Sequence, residues 1–146
     1  MDRIILGNKI DSIKYDFRET CFGIVYKNDK FYLTEKNGEI SLIGGGIEAN
    51  ETYEETLKRE FIEEAGLTIK KIKEFVTIDC YWITRNNDYM NSLANFYIVE
   101  IDNEIKEPTE EISRLVILEK TEIKDKLSLP YQREAINLFF EKYLDK

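Results

Sequence analysis

Hydrophobic and polar positions divide the chain into runs of two different periods. "RETCFGIVYK" and "KFYLTEK" are rich in β-branched and aromatic residues and are separated by the turn formers Asn28 and Asp29, which predicts a β-hairpin. "EISLI" follows as a short strand running into Gly44, Gly45 and Gly46. Further on, "KEFVTIDCYWIT" and "SLANFYIVEI" read as strands flanking the polar loop "RNNDYMN", and "SRLVILE" reads as another. Between the glycines and these strands the period lengthens: Leu57, Phe61 and Ala65 recur at the spacing of one helix face. Thr52 with Glu55 makes a capping box and Gly66 supplies the stop, so a helix is predicted from Tyr53 to Ala65. Pro130 opens a final helix whose Ile136, Phe139, Phe140 and Tyr143 share a face and read as core. No repeat, low-complexity block or linker interrupts the 146 residues, so residues 1–146 are expected to form a single mixed α/β domain.

The first helix breaks a local rule. At ~100° per residue, Glu60, Glu63 and Glu64 fall on one patch beside the apolar stripe. Repulsion between them and the negative end of the helix dipole together cost ~1 kcal/mol, where Lys or Arg would be favourable. A wet helix face in a Glu-rich chain tolerates this cost; a bound divalent cation would turn it into binding energy. Arg59 supports the plainer reading, because it lies one turn from both Glu55 and Glu63 and is placed for surface ion pairs. Gly44, Gly45 and Gly46 read either as a flexible turn or as backbone left bare for close approach to a ligand. Taken together, glycines and carboxylates form a metal-phosphate cradle.

Composition narrows the chemistry. The formal charge of −8 disfavours binding of a nucleic-acid polymer, which depends on Lys and Arg neutralising phosphates. Histidine is absent, which removes Ser-His and Cys-His pairs and every zinc site that needs imidazole, leaving carboxylates as the candidate catalytic groups. A chain of this length buries enough surface to fold without a metal or disulfide, so any metal is expected to be functional. Cys21 and Cys80 lie in apolar runs and read as core thiols. "MDRIILGNKI" is too short in apolar residues for a signal peptide and no run reaches the length of a membrane span, so the expected location is cytoplasmic.

Gly45, Glu51 and the run Arg59-Glu60-Phe61-Ile62-Glu63-Glu64-Ala65-Gly66-Leu67 have a spacing that resembles the Nudix box of the Nudix hydrolases at every fixed position. Two positions depart from the family's habit: Phe61 where Leu, Ile or Val is usual, and Ile43 where Pro often precedes the glycines. The resemblance implies an α/β/α sandwich with a mixed β-sheet, and Mg²⁺- or Mn²⁺-dependent hydrolysis of a nucleoside diphosphate linked to another group. It implies Glu60 and Glu64 as main metal ligands, Glu63 as a further ligand or water-activating base, and the Gly45 carbonyl as another ligand. Arg59 would orient a catalytic Glu and Glu51 would support the site. The family often adds a carboxylate from a later loop, for which Glu111 matches best and Glu110 next, ordinary loop charges being the competing reading.

Substrate selection is thinly written. Trp82, Arg18 and Lys36 are candidate substrate contacts, with packing or a surface position as the competing reading for each. The downstream markers of ADP-ribose and dinucleoside polyphosphate enzymes are missing, as is the array resembling the NADH pyrophosphatase motif. A nucleoside triphosphate or similar small nucleotide is the expected substrate. The alternatives are a silent Nudix-fold regulatory domain that binds a nucleotide without cleaving it, and an acidic module for a basic partner. Homodimers are common among such enzymes, and nothing in the chain itself marks an interface.

Overall fold

A computed structural model describes residues 1–145. Eight strands, β1 (Asp2–Leu6), β2 (Asp16–Lys27), β3 (Lys30–Lys36), β4 (Glu39–Ser41), β5 (Ile43–Gly46), β6 (Leu67–Ile83), β7 (Tyr89–Ile105) and β8 (Ser113–Glu119), lie between helices α1 (Tyr53–Ala65) and α2 (Pro130–Phe139). The strand order is β1-β6-β7-β2-β3-β4, with β5 paired to β2 and β8 to β3. β1 with β6 and β2 with β7 run parallel and the other pairs antiparallel, so the sheet is mixed.

Strand periodicity builds the layers. On β2, Cys21 and Val25 face α1 while Phe22 and Ile24 face α2, because successive side chains leave opposite faces of a sheet. The α1 side buries Leu57, Phe61 and Ala65 against Ile43, Leu67 and Val99. The α2 side buries Ala135, Ile136, Phe139 and Phe140 against Phe31, Ile78 and Phe96. The result is the expected α/β/α sandwich. Cys21 and Cys80 are buried free thiols, and burial pushes their pKa values up to about 12 and about 11. Among the described residues no helix is long and apolar enough to cross a membrane.

The hairpin turns at Asn28 and Asp29, both with positive φ (54° and 64°), which matches the twist of the flanking strands. "EISLI" divides at the buried Leu42, whose N–H donates to Gln132 Oε1 at 2.8 Å as the chain passes from β3 to β2. The loop expected at "RNNDYMN" is shorter, since Tyr89, Met90 and Asn91 already pair with Ile83, Trp82 and Tyr81. β6 starts at Leu67, directly after the helix: the largely polar "TIKKIKE" pairs with β7 through register shifts at Ile69 and Lys71, along a ribbon that runs beyond the core. β1 is an addition to the expected strands; its short apolar run is stabilised by parallel pairing with β6.

Phe61 has a structural counterpart. A Cβ on Gly23 would lie 2.5 Å from Phe61 Cζ and 2.8 Å from Val99 Cγ2, so the larger ring of the box helix occupies the space that a glycine leaves on β2. Gly23→Ala is therefore expected to cost about 2 kcal/mol by overpacking, with the part due to the Phe61 ring relieved in a Phe61→Leu background and the Val99 contact remaining. Urea titrations of the four proteins in the cycle measure the coupling, and additive effects would disprove the pairing.

Candidate active site

Two local devices set the rotation of α1. Thr52 Oγ1 accepts the Glu55 N–H at 3.1 Å while Glu55 Oε1 accepts the Thr52 N–H at 2.9 Å. At the other end Gly66, at φ 65°, returns its N–H to the Ile62 carbonyl. With the phase fixed, Leu57, Phe61 and Ala65 enter the core, and the adjoining row of Thr56, Glu60 and Glu64 is also buried, beside the glycine strand β5. Glu63 lies outside that row and its side chain is 39% exposed.

The buried carboxylates are held by main chain and by two cations. Glu64 Oε1 accepts the Gly44 N–H at 2.9 Å, and Glu64 Oε2 lies 2.7 Å from Lys36 Nζ. Burial pushes the Glu64 carboxyl up to about 7 despite both contacts, and it pushes Glu60 upward as well. Glu60 is packed against Gly45, where an added Cβ would stand 3.0 Å from its carboxylate. Arg59 is the hub on the other side. Its Nε and Nη2 hold both oxygens of Glu51 at 2.7 and 3.0 Å, Nη1 reaches Glu60 at 2.7 Å and Glu63 at 3.2 Å, and Nη2 also donates to the Gly46 carbonyl at 3.2 Å. This is not the surface pairing with Glu55 that helix spacing suggested. Arg59 is half-buried and ties the helix to the glycine strand and to Glu51, whose carboxyl it holds down at about 2.

The loop after β7 brings Glu110 to the site instead of Glu111. The Glu110 N–H donates to the Glu63 carbonyl at 2.9 Å and its carboxylate lies 3.1 Å from Lys36 Nζ, so Lys36 bridges Glu64 and Glu110. Glu111 is exposed and makes no ion pair among the described residues. The two neighbours differ because the backbone bond from Glu110 turns its side chain toward the helix end and leaves the next residue facing solvent. Among the described residues no three acidic side chains converge on one point: Glu60 and Glu63 turn to Arg59, and Glu64 turns to Lys36.

Of the candidate substrate contacts, Arg18 and Lys36 line a cleft of about 200 Å³ together with Thr20, Gly44, Gly45 and Glu64. Trp82 does not. Its Nε1 donates to Ser92 Oγ at 2.9 Å, its ring meets Tyr131 edge-on at 6.0 Å, and it lines a neighbouring hollow of about 940 Å³ that shares Glu39 and Leu129 with the cleft. Thr20 escaped the sequence reading. Its hydroxyl is buried with no hydrogen-bond partner, and only the pairing of β2 with β5 reveals that it adjoins the glycines.

Known proteins resemble the chain in fold and, over part of its length, in sequence. A NUDIX hydrolase from Nitrosomonas europaea superposes with a TM-score of 0.67 over 89% of this chain and 95% of that one, at 20% identity. A MutT protein from Bacillus halodurans gives 0.68 over 82% and 80%, at 21% identity. Both likenesses are of fold. NAD-capped RNA hydrolases NudC from Haemophilus influenzae and Photobacterium profundum are 30% and 33% identical over 78 and 92 residues, covering 53% and 60% of this chain. Those stretches are 29% and 34% of the relatives, so the chain spans about a third of the length of the curated proteins it matches. The NUDIX domain model matches residues 17–139, from the first residues of β2 to the last of α2, and the chain belongs to the Nudix hydrolase family.

Proposed function

We propose that residues 1–146 form one hydrolase domain that cleaves the diphosphate linkage of a small nucleotide with the help of Mg²⁺ or Mn²⁺. The carrying observation is a row of two buried carboxylates, Glu60 and Glu64, set against a strand whose residues Gly44 and Gly45 have no side chains. Burial raises the pKa of both even with Lys36 and Arg59 each 2.7 Å away, so further positive charge beside them is favoured. The donors are all oxygens, and Gly45 brings no side chain against the Glu60 carboxylate, so the residues fit a hard divalent cation. Glu60, Glu64 and the Gly45 carbonyl would hold it, with Glu63 as a further ligand or base. When bound, such an ion polarises the phosphoryl group and acidifies water.

The remaining groups have parts that follow from their contacts. Arg59 fixes the carboxylates of Glu51, Glu60 and Glu63 relative to the Gly46 carbonyl, so the acidic row is positioned before substrate arrives. Glu63 is more exposed than Glu51, Glu60 and Glu64 and is assigned as the proton acceptor, with Glu110 in place of Glu111 as the loop carboxylate. Arg18 and the unpartnered Thr20 hydroxyl supply donors for phosphate oxygens in the cleft, and the hollow beside Trp82 is large enough for a nucleoside. The NudC relatives act on NAD-capped RNA, whose cap contains a diphosphate. The net charge of −8 favours the small nucleotide over the polymer.

The test is incubation with Mg²⁺ and a panel of nucleoside triphosphates, sugar nucleotides, ADP-ribose, NAD and dinucleoside polyphosphates, following the products by chromatography. Turnover of at least one is expected, with Glu63→Gln lowering kcat roughly a hundred-fold while KM is retained. Binding without turnover across the whole panel would favour the regulatory alternative. Loss on Glu111→Gln with Glu110→Gln active would reverse the loop assignment.

A further inference from the structure

Lys36 is the last residue of β3 and is fixed there by pairing with Glu39 on one side and Ser113 on the other. Its ammonium stands 2.7 Å from Glu64 Oε2 and 3.1 Å from Glu110 Oε1. The second oxygen of Glu64 is already taken by the Gly44 N–H. Both oxygens of this carboxylate are therefore engaged by the protein itself. No other cation touches Glu64 among the described residues.

We infer that Lys36 is a tethered counter-cation: it positions the Glu64 and Glu110 carboxylates in the metal-free protein and competes with a divalent ion for Glu64. This rests on the metal-dependent reading above. A like charge a few ångströms away weakens the hold on an incoming ion. The same ammonium spares the metal-free fold an unpaired buried carboxylate. Occupancy of the site then frees Lys36 from Glu64. Lys36 also lines the cleft with Arg18, so the released ammonium is available to a substrate phosphate.

Two measurements test this without relying on turnover. In the wild-type protein, acetylation by a water-soluble N-hydroxysuccinimide ester, read residue by residue by mass spectrometry, is expected to modify Lys36 several-fold faster in saturating Mg²⁺ than in chelator. Lys58, paired with Glu54 on the exposed side of α1, is the unchanged control. An unchanged Lys36 rate overturns the inference. In calorimetric titration with Mn²⁺, Lys36→Met is expected to bind roughly ten-fold more tightly than wild type, while Lys36→Arg, which keeps the charge, binds like wild type. Equal or weaker binding by Lys36→Met overturns the inference alone. Absence of Mn²⁺ uptake by every protein in the series overturns the metal reading and this inference with it.

Discussion

Glu64→Gln is expected to reduce hydrolysis roughly a thousand-fold, equivalent to about 4 kcal/mol of lost transition-state stabilisation, while leaving a folded protein. The amide oxygen introduced by this substitution can still accept the Gly44 N–H, so the strand and helix stay joined. What is lost is the charge. The metal-free variant is also expected to be more stable than wild type at pH 8. The Glu64 carboxyl is raised from 4.5 to about 7 by burial, so its contribution is most favourable below pH 4.5 and is lost as pH rises through about 7. A net shift of that size, the Lys36 contact included, corresponds to roughly 3 kcal/mol. Thermal melts in chelator between pH 5 and pH 8 should show wild type falling and Glu64→Gln nearly flat in this respect. Marked unfolding of the variant at pH 8 would make Glu64 a structural residue.

Gly44→Ala and Gly45→Ala, one residue apart, are expected to fail in different ways. Gly44 has φ 155°, and a Cβ there would collide with the Cys21 carbonyl and lie 2.7 Å from Phe22 Cα. Relief requires moving β5 off β2, at a cost of roughly 3 kcal/mol or more and a fall in Tm of ~10 °C. A Cβ added at Gly45 would first meet the Glu60 carboxylate, at 3.0 to 3.2 Å. That side chain can shift by a few tenths of an ångström, so the fold is expected to lose about 1 kcal/mol or less, whereas hydrolysis drops about a hundred-fold because a metal-site carboxylate is displaced. Melting curves and rates on the best substrate of the panel separate the two. Equal loss of stability in both would contradict the view that Gly45 is kept bare for the site.

Much of the box helix is legible in the sequence because its determinants are local. Thr52, Glu55 and Gly66 fix its ends and Leu57, Phe61 and Ala65 its buried face, and all of these lie within a few turns of one another. The hairpin at Asn28 and Asp29 is legible for the same reason. β1 is not, since five residues with one exposed apolar side chain gain their strand from a partner seventy-odd positions away. Sequence spacing ranks Glu111 above Glu110, whereas in the fold it is Glu110 that lies against Lys36, with its N–H bonded to the Glu63 carbonyl, a contact between distant residues. Sequence likewise offers Lys36 only as a substrate contact, whereas in the folded chain it is first of all the partner of Glu64 and Glu110.

By itself the sequence determined the phase and limits of the acidic helix, the placement of glycines before it and the family to which that spacing points. These are properties of consecutive residues, settled by covalent geometry and hydrogen bonds a turn apart. Only the tertiary structure decided which carboxylates are buried, that Arg59 bridges to Glu51 instead of Glu55, that Arg18, Thr20, Lys36 and Glu64 meet around one cleft, and that Glu110 reaches Lys36 there. The physical reason is that those residues come from four different elements, and strand register, which no local pattern encodes, sets the distances between them.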